Sequence, residues 1–263
     1  QQQFLCRNTE MTAYKNPNWN AVLVGCSAVD PPTSEGHYLT QVPRTPRVAE
    51  KPYLVGTGPQ DIKIYKPTLQ TDRKGVDNTP PLEKTTPYLL AVANKTTLQE
   101  INDAFKQGHD VLLTPGTYQL EGTIILSGQL LFGLGVPRLI NTTIKGHGSI
   151  CGIIVQAGTD DTQTLVNLSK DGPSMLWDVY CRVGGGETGE VGKAKTMIQC
   201  AGDNSILDNV WCWAADHYAD GSYTFWENAA CDVGVHVKGD NVTAFGLFAE
   251  HNHGYNVLWE GNN

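Results

Sequence analysis

The chain has 263 residues, with 27 acidic against 19 basic side chains and a formal net charge of −8. An acidic chain without a Lys/Arg cluster lacks the basic stripe that neutralises phosphates, so a nucleic-acid footprint is excluded. No apolar run reaches the length of a membrane-spanning helix. The 28 glycines and the many short apolar runs, such as Ala21-Val22-Leu23-Val24 and Gly152-Ile153-Ile154-Val155, mark a chain of turns and strands.

The sequence opens on Gln1-Gln2-Gln3 rather than Met and reads as an internal piece of a longer polypeptide. Two strand-like segments come first, Gln2–Cys6 and Ala21–Gly25. A Pro-rich passage from Pro31 to Pro52 follows and is expected to be irregular connection, because Pro cannot donate to a ladder. Residues 56–87 carry Pro67, Pro80, Pro81 and Pro87 among Thr, Asp and Lys, and read as a surface linker. This divides the chain into residues 1–55, the linker, and residues 88–263.

Beyond the linker, Thr97-Leu98-Gln99-Glu100 has capping-box spacing, and Leu98, Ile101, Ala104 and Phe105 share one face of a helix expected over 97–107 and ended by Gly108. From Val111 onward the chain reads as short strands separated by Gly, Asp and Asn, which is where a repeat is to be sought. One is present. Gly152-Ile153-Ile154-Val155-Gln156, Asp178-Val179-Tyr180-Cys181-Arg182, Asn209-Val210-Trp211-Cys212-Trp213 and Gly246-Leu247-Phe248-Ala249-Glu250 each run turn former, aliphatic, large apolar, small, variable. Gly202-Asp203-Asn204 and Gly239-Asp240-Asn241 precede the last two at equal distance.

The spacings, 178 − 152 = 26, 209 − 178 = 31 and 246 − 209 = 37 residues, suit stacked coils of a right-handed parallel β-helix, with extra residues bulging out as loops. Because strands alternate faces, Val155, Cys181, Cys212 and Ala249 are expected to stack inside and Gln156, Arg182, Trp213 and Glu250 to form an outward file. Such a file is a candidate carbohydrate floor, with Trp stacking on sugar C–H faces and the polar groups meeting hydroxyls. An ordinary mixed exterior face is the competing reading. The helix over 97–107 is expected to cover the open end of the stack.

Seven cysteines without a CxxC pair indicate neither a zinc site nor a dithiol motif. Cys181 and Cys212 read as buried free thiols, while Cys200 with Cys231, or Cys6 with Cys26, are candidate disulfides. Asp216-His217 lacks a nucleophilic Ser or Cys partner. His251-x-His253 lacks a third ligand, so no metal and no cofactor are expected. Gly184-Gly185-Gly186 has no Lys-Ser/Thr after it and reads as a flexible loop. Sequons at Asn94, Asn141, Asn167 and Asn241 point to a secreted glycoprotein.

Several stretches resemble the second lobe of the two-lobed β-helix enzymes of glycoside hydrolase family 55, the exo-acting β-1,3-glucanases. They are Gln1–Phe4, Glu50-Lys51-Pro52-Tyr53, Leu112–Tyr118, Trp211-Cys212-Trp213-Ala214-Ala215-Asp216-His217, and Asn241-Val242-Thr243 through Glu250-His251 to Leu258–Asn262. The resemblance implies that residues 1–55 end a first lobe, that residues 88–263 form most of a second, and that a sugar cleft runs between or along them. It places the Glu matching Glu250 close to the reacting sugar, and the proton-donor Glu in a segment expected beyond Asn263. It also implies a family Arg where Ala214 stands.

The catalytic candidate is therefore Glu250, with Gln156, Arg182, Trp213, Asp216, His217 and His251 as substrate contacts. Inverting hydrolysis needs two carboxyl groups, about 6.5–9.5 Å apart, and one Glu does not complete the pair. The reading is a β-glucan hydrolase that needs the remaining segments of its parent polypeptide. A noncatalytic polysaccharide-binding or structural β-helix is the alternative. A calcium-dependent lyase would need clustered Asp ligands and a basic proton abstractor, for which only Asp160-Asp161 and Arg182 come forward.

Overall fold

The computed structural model describes residues 3–16, 20–28, 30, 32–34, 38–58, 61–76, 86–158, 161–187, 189–224 and 226–262. The chain divides into two compact units, Gln1–Thr85 and Thr86–Asn263.

In the first unit, Gln3–Arg7, Asn20–Val24 and Leu39–Val42 lie parallel and in sequence order. The short strands Glu10–Met11 and Lys15–Asn16 pair in parallel with Ser27–Ala28 and Thr33–Ser34, so successive turns of backbone sit one on another. The Pro-rich passage is not the irregular connection expected. Leu39–Val42 and Thr45–Val48 are strands within it, and Thr45–Val48 pairs antiparallel with Gln70–Arg73. The ladder tolerates Pro46 because its register passes over Pro46 and Asp72, where Asp72 takes φ +55°, so the missing N–H is not called upon. Tyr53–Val55 and Lys63–Tyr65 form a second antiparallel pair. Much of the stretch expected as linker, 56–87, thus folds into the first unit, and residues 77–85 lie outside the described part.

The second unit is a parallel β-helix. Tyr88–Ala91, Asp110–Leu113, Thr117–Gly133 and Arg138–Gln156 pair in order, every pair parallel. The stack then continues along two sheets. One runs from Arg138–Gln156 through Met175–Val183 and Ile206–Ala214 to Thr243–Phe245 and Phe248–Glu250. The other runs through Asp161–Leu168, Gly192–Cys200 and Ala229–Val237 to Tyr255–Trp259.

The turn former that opens each repeat has a physical job. Gly152, Asp178, Asn209 and Gly246 all take positive φ, at 66°, 50°, 54° and 57°, and bend each coil at the same corner. Gly reaches this region without a Cβ clash, and Asn and Asp are the residues that otherwise visit it. Asn209 Nδ2 donates to Asp178 Oδ1 of the coil before it at 2.6 Å, which ties the corners together.

Inside, Val155, Cys181 and Cys212 stack in register, each at most 1% exposed, and Ala249 follows them. Ile153, Val179 and Val210 form a second file beside them. Cys6, Cys26, Cys200 and Cys231 are free thiols, so neither candidate disulfide is present. Cys200 lies opposite Leu168 and Val237, and Cys231 opposite Ala194, which leaves those two thiols on different levels of the sheet.

The helix spans Leu98–Lys106 and carries the expected capping box between Thr97 and Glu100. Its buried Ile101, Ala104 and Phe105 join the interior of the β-helix, covering the first coil. Asn102 completes the seal. Its side chain donates to Thr123 O at 2.9 Å and accepts from Ile125 N–H at 2.9 Å, so one amide stands in for a missing neighbouring strand.

Candidate active site

The outward file lies in the expected register. Gln156 pairs with Arg182, Arg182 with Trp213 and Trp213 with Glu250 on successive coils. Its exposure differs from that of an open floor. Gln156 is 0% and Trp213 only 8% exposed, because in the segment 184–191 Glu190 lies against the first and Gly185 against the second.

Two contacts hold that segment down. Glu190 Oε1 accepts from Gln156 Nε2, whose Oε1 in turn accepts from Arg182 Nη2, and Glu190 Oε2 accepts from the Glu187 N–H. Gly185, at φ +73°, lies so close to the Trp213 ring that a Cβ there would meet Cζ3 at 3.0 Å and the Ala215 Cβ at 2.5 Å. Only glycine fits. Burial presses the Arg182 pKa below the usual guanidinium value; Glu190 counters this and Arg138 adds to it.

The open surface begins one file over. The alternation that turns 156, 182, 213 and 250 outward also turns Ile154, Tyr180, Trp211 and Phe248 outward. Trp211, 36% exposed, stacks on Trp213 at 5.3 Å and 19° and meets Tyr180 edge-on. Its indole Nε1 donates to Glu250 Oε1 at 2.9 Å, so two tryptophans from one strand orient the carboxylate on the next. Trp211 is absent from the sequence-derived set, although its place in the repeat puts it on the same face.

The loop after Ile206–Ala214 brings up the rest. Ala215 N–H donates to Val183 O at 3.0 Å, and the segment turns back so that His217 bridges Tyr223. Asp216 Oδ1 sits 2.7 Å from His217 Nδ1 and 3.9 Å from His251 Nδ1. Burial works against the Asp216 charge, but the His217 contact, its own N–H and the nearby His251 outweigh it and hold its pKa below the usual carboxylate range. The His217 ring packs on Trp213 at 4.9 Å. Trp213, Asp216, His217, Glu250 and His251 therefore come together, whereas Gln156 is sealed beneath the loop.

His251 and His253 do not present their rings side by side. His251 has φ +61° in a turn and faces Asp216, while His253 stacks on Trp226 at 4.2 Å, so the two rings diverge. Among the described residues no three His, Cys, Asp or Glu side chains converge as metal ligands do. Asp160 lies outside the described residues, and Asp161 lies on the other sheet from Arg182, opposite Lys193. Of the sequon asparagines, Asn94, Asn141 and Asn241 are exposed, while Asn167 is half-buried in a strand and accepts from Gln199.

A family model described as the LAM55 pectate lyase-like domain matches residues 88–263, which is most of the chain. The chain belongs to this family. A relative described as an exo-beta-1,3-glucanase from Streptomyces sp. (strain SirexAA-E / ActE) is 33% identical over the whole chain, which covers 46% of that protein. Two solved structures of sacteLam55A from Streptomyces sp. SirexAA-E, one of them a variant in complex with glucose, superpose with a TM-score of 0.87 at 33% identity. They match all of this LAM55 chain, which covers 50% and 51% of theirs. The chain thus spans about half the length of the relatives it matches.

Proposed function

We propose that the polypeptide carrying this chain hydrolyses β-1,3-glucan by inversion, with Glu250 as one of its two carboxylates. The observation that carries the reading is the Trp211–Glu250 hydrogen bond at the end of a stacked tryptophan pair. A surface indole is a sugar-stacking face, and a carboxylate fixed to its edge stands beside whatever lies on that face. The exo-beta-1,3-glucanase relative, aligned along the entire chain, supports the substrate class.

Inversion needs an acid at the leaving oxygen and a base for water on the opposite side of the ring. On this reading the acid is supplied elsewhere in the parent polypeptide, and Glu250 takes the proton from water. Its Oε1 is occupied by the indole N–H, so Oε2 is the oxygen for that transfer. Asp216, charged between two imidazoles, and His217 against Trp213 are placed to meet sugar hydroxyls. We also propose an extracellular location, with glycans at the exposed Asn94, Asn141 and Asn241.

The test is reducing-sugar release from laminarin and from pectate by the full-length polypeptide, beside its Glu250→Gln variant. Laminarin is expected to be cleaved and pectate not. Loss of a general base lowers turnover by roughly 10²–10⁴-fold, and Glu250→Gln is expected within that range. Glucan binding without release would favour the noncatalytic reading instead.

A further inference from the structure

We propose that Glu190 is a positioning residue for the Glu250 site, acting through the loop that carries it. This rests on the reading that Glu250 is catalytic. The loop of residues 184–191 connects Met175–Val183 to Gly192–Cys200, and among its described residues Gly185 and Glu190 lie against Trp213 and Gln156 of the outward file. Its glycines press it flat: Gly185 lies against the Trp213 ring and Ala215, and Gly184 against Ala229. Trp213, Ala215 and Ala229 form a small apolar cluster of their own, apart from the interior of the β-helix. Flat packing alone does not fix a glycine-rich segment, because Gly gives up more backbone freedom on ordering than any other residue.

The anchor is Glu190. Its carboxylate reaches Gln156, which in turn holds the Arg182 guanidinium, so a hydrogen-bonded chain links the loop to two coils beneath it. Arg182 is largely desolvated, its Nε has no partner, and Arg138 repels it. Glu190 is the carboxylate that compensates this charge. Breaking a buried pair by removing one partner is far costlier than replacing both, so the loop is held as firmly as Arg182 requires its counter-charge.

From the anchored loop two routes lead to Glu250. In the first, Gly185 backs Trp213, Trp213 stacks on Trp211, and the Trp211 indole holds Glu250 Oε1. In the second, Gly186 O accepts the Ala219 N–H at 2.9 Å, tying the loop to the turn that carries Asp216 and His217. Asp216 faces His251, the residue after Glu250. Glu190 touches none of the groups that would meet sugar, yet it underlies both supports of the carboxylate.

The experiment compares the full-length wild type with Glu190→Ala, Glu190→Gln and Glu250→Gln on laminarin, measuring kcat and KM and the near-ultraviolet circular dichroism of indole. Glu190→Ala is expected to lower kcat at least tenfold, with less than threefold change in KM, and to weaken the indole bands of the Trp211–Trp213 stack. Glu190→Gln, which keeps an acceptor for Gln156 but gives up the counter-charge of Arg182, is expected to fall between Glu190→Ala and wild type in both kcat and indole signal. If Glu190→Ala does not fold, Glu190→Ala in an Arg182→Met background, with the buried charge removed, takes its place: weaker indole bands and lower kcat than in Arg182→Met alone support the role, and no difference from Arg182→Met alone overturns it. Wild-type kcat and unchanged indole bands in Glu190→Ala, with Glu250→Gln inactive, would overturn the positioning role alone. Full activity in Glu250→Gln would overturn the catalytic reading, and the indole bands would still report whether Glu190 holds the loop.

Discussion

Asn209 and Asp178 carry more of the architecture than their polar side chains suggest. Each holds a left-handed backbone at the corner of a coil, and the 2.6 Å bond between them passes from one coil to the next. A β-branched residue in that region costs roughly 1–2 kcal/mol, so Asn209→Val is expected to lose at least that in a denaturant titration. Asn209→Gly should stay within about 0.5 kcal/mol of wild type, since it frees the backbone while giving up an exposed hydrogen bond. The Asp216 carboxyl makes a second residue-scale prediction. Its pKa in the folded chain is lowered, so it contributes stability that is complete above the ordinary Asp value and is lost as pH falls through the lowered one. Asp216→Asn is therefore expected to be less stable at neutral pH and to show a shallower loss of thermal midpoint below about pH 4. A third concerns the thiols. Burial pushes the Cys231 thiol up to about 12 and raises Cys200 and Cys212 as well, so all three should resist alkylation at pH 8 until denaturant is added.

At the scale of elements, the helix Leu98–Lys106 and the loop Gly184–Val191 solve opposite problems. The helix covers an apolar end and a free strand edge, using three buried side chains and the two backbone bonds of Asn102. Its start depends on Thr97, whose hydroxyl accepts from Glu100 N–H at 3.2 Å while Glu100 Oε2 accepts from Thr97 N–H at 2.7 Å. Thr97→Ala removes one half of that box and is expected to cost about 1 kcal/mol, within a range of roughly 0.5–2, by denaturant titration. The loop, by contrast, covers a polar file and needs a charge to do it. These two elements differed in how far they could be read in advance. Capping-box spacing and a 3.6-residue apolar period announce the helix. Gly184-Gly185-Gly186 has no period, and nothing local shows that Glu190 reaches Gln156 34 positions earlier. The expected outward file was consequently right in register and wrong in openness. Register follows from a two-residue alternation with one buried face, which a one-residue slip would invert. Exposure is decided by a tertiary contact. In the first unit the prolines misled in the other direction, since the register of the ladder passes over Pro46.

The second unit as a whole is a stack in which each coil rests on its neighbours, so its stability is close to a sum of interfaces between adjacent turns. The small residues that fill the centre, Val155, Cys181, Cys212 and Ala249, leave little slack. Larger side chains such as Leu176 occupy the flanks, in register with Ile150 below and Leu207 above, all three fully buried. A cavity there touches two interfaces at once, and relaxation would have to move both neighbouring coils. Leu176→Ala is therefore expected to cost about 2–5 kcal/mol, toward the upper end because the coil above and the coil below are held by continuous ladders. Tryptophan fluorescence is a fitting probe, because Trp177, Trp211, Trp213, Trp226 and Trp259 lie in this unit and only Trp19 lies in the other. The fluorescence midpoint in guanidinium should fall by the corresponding amount. A cost under about 1 kcal/mol would mean that the coils slide together freely, which the interlocked corners at Asp178 and Asn209 oppose.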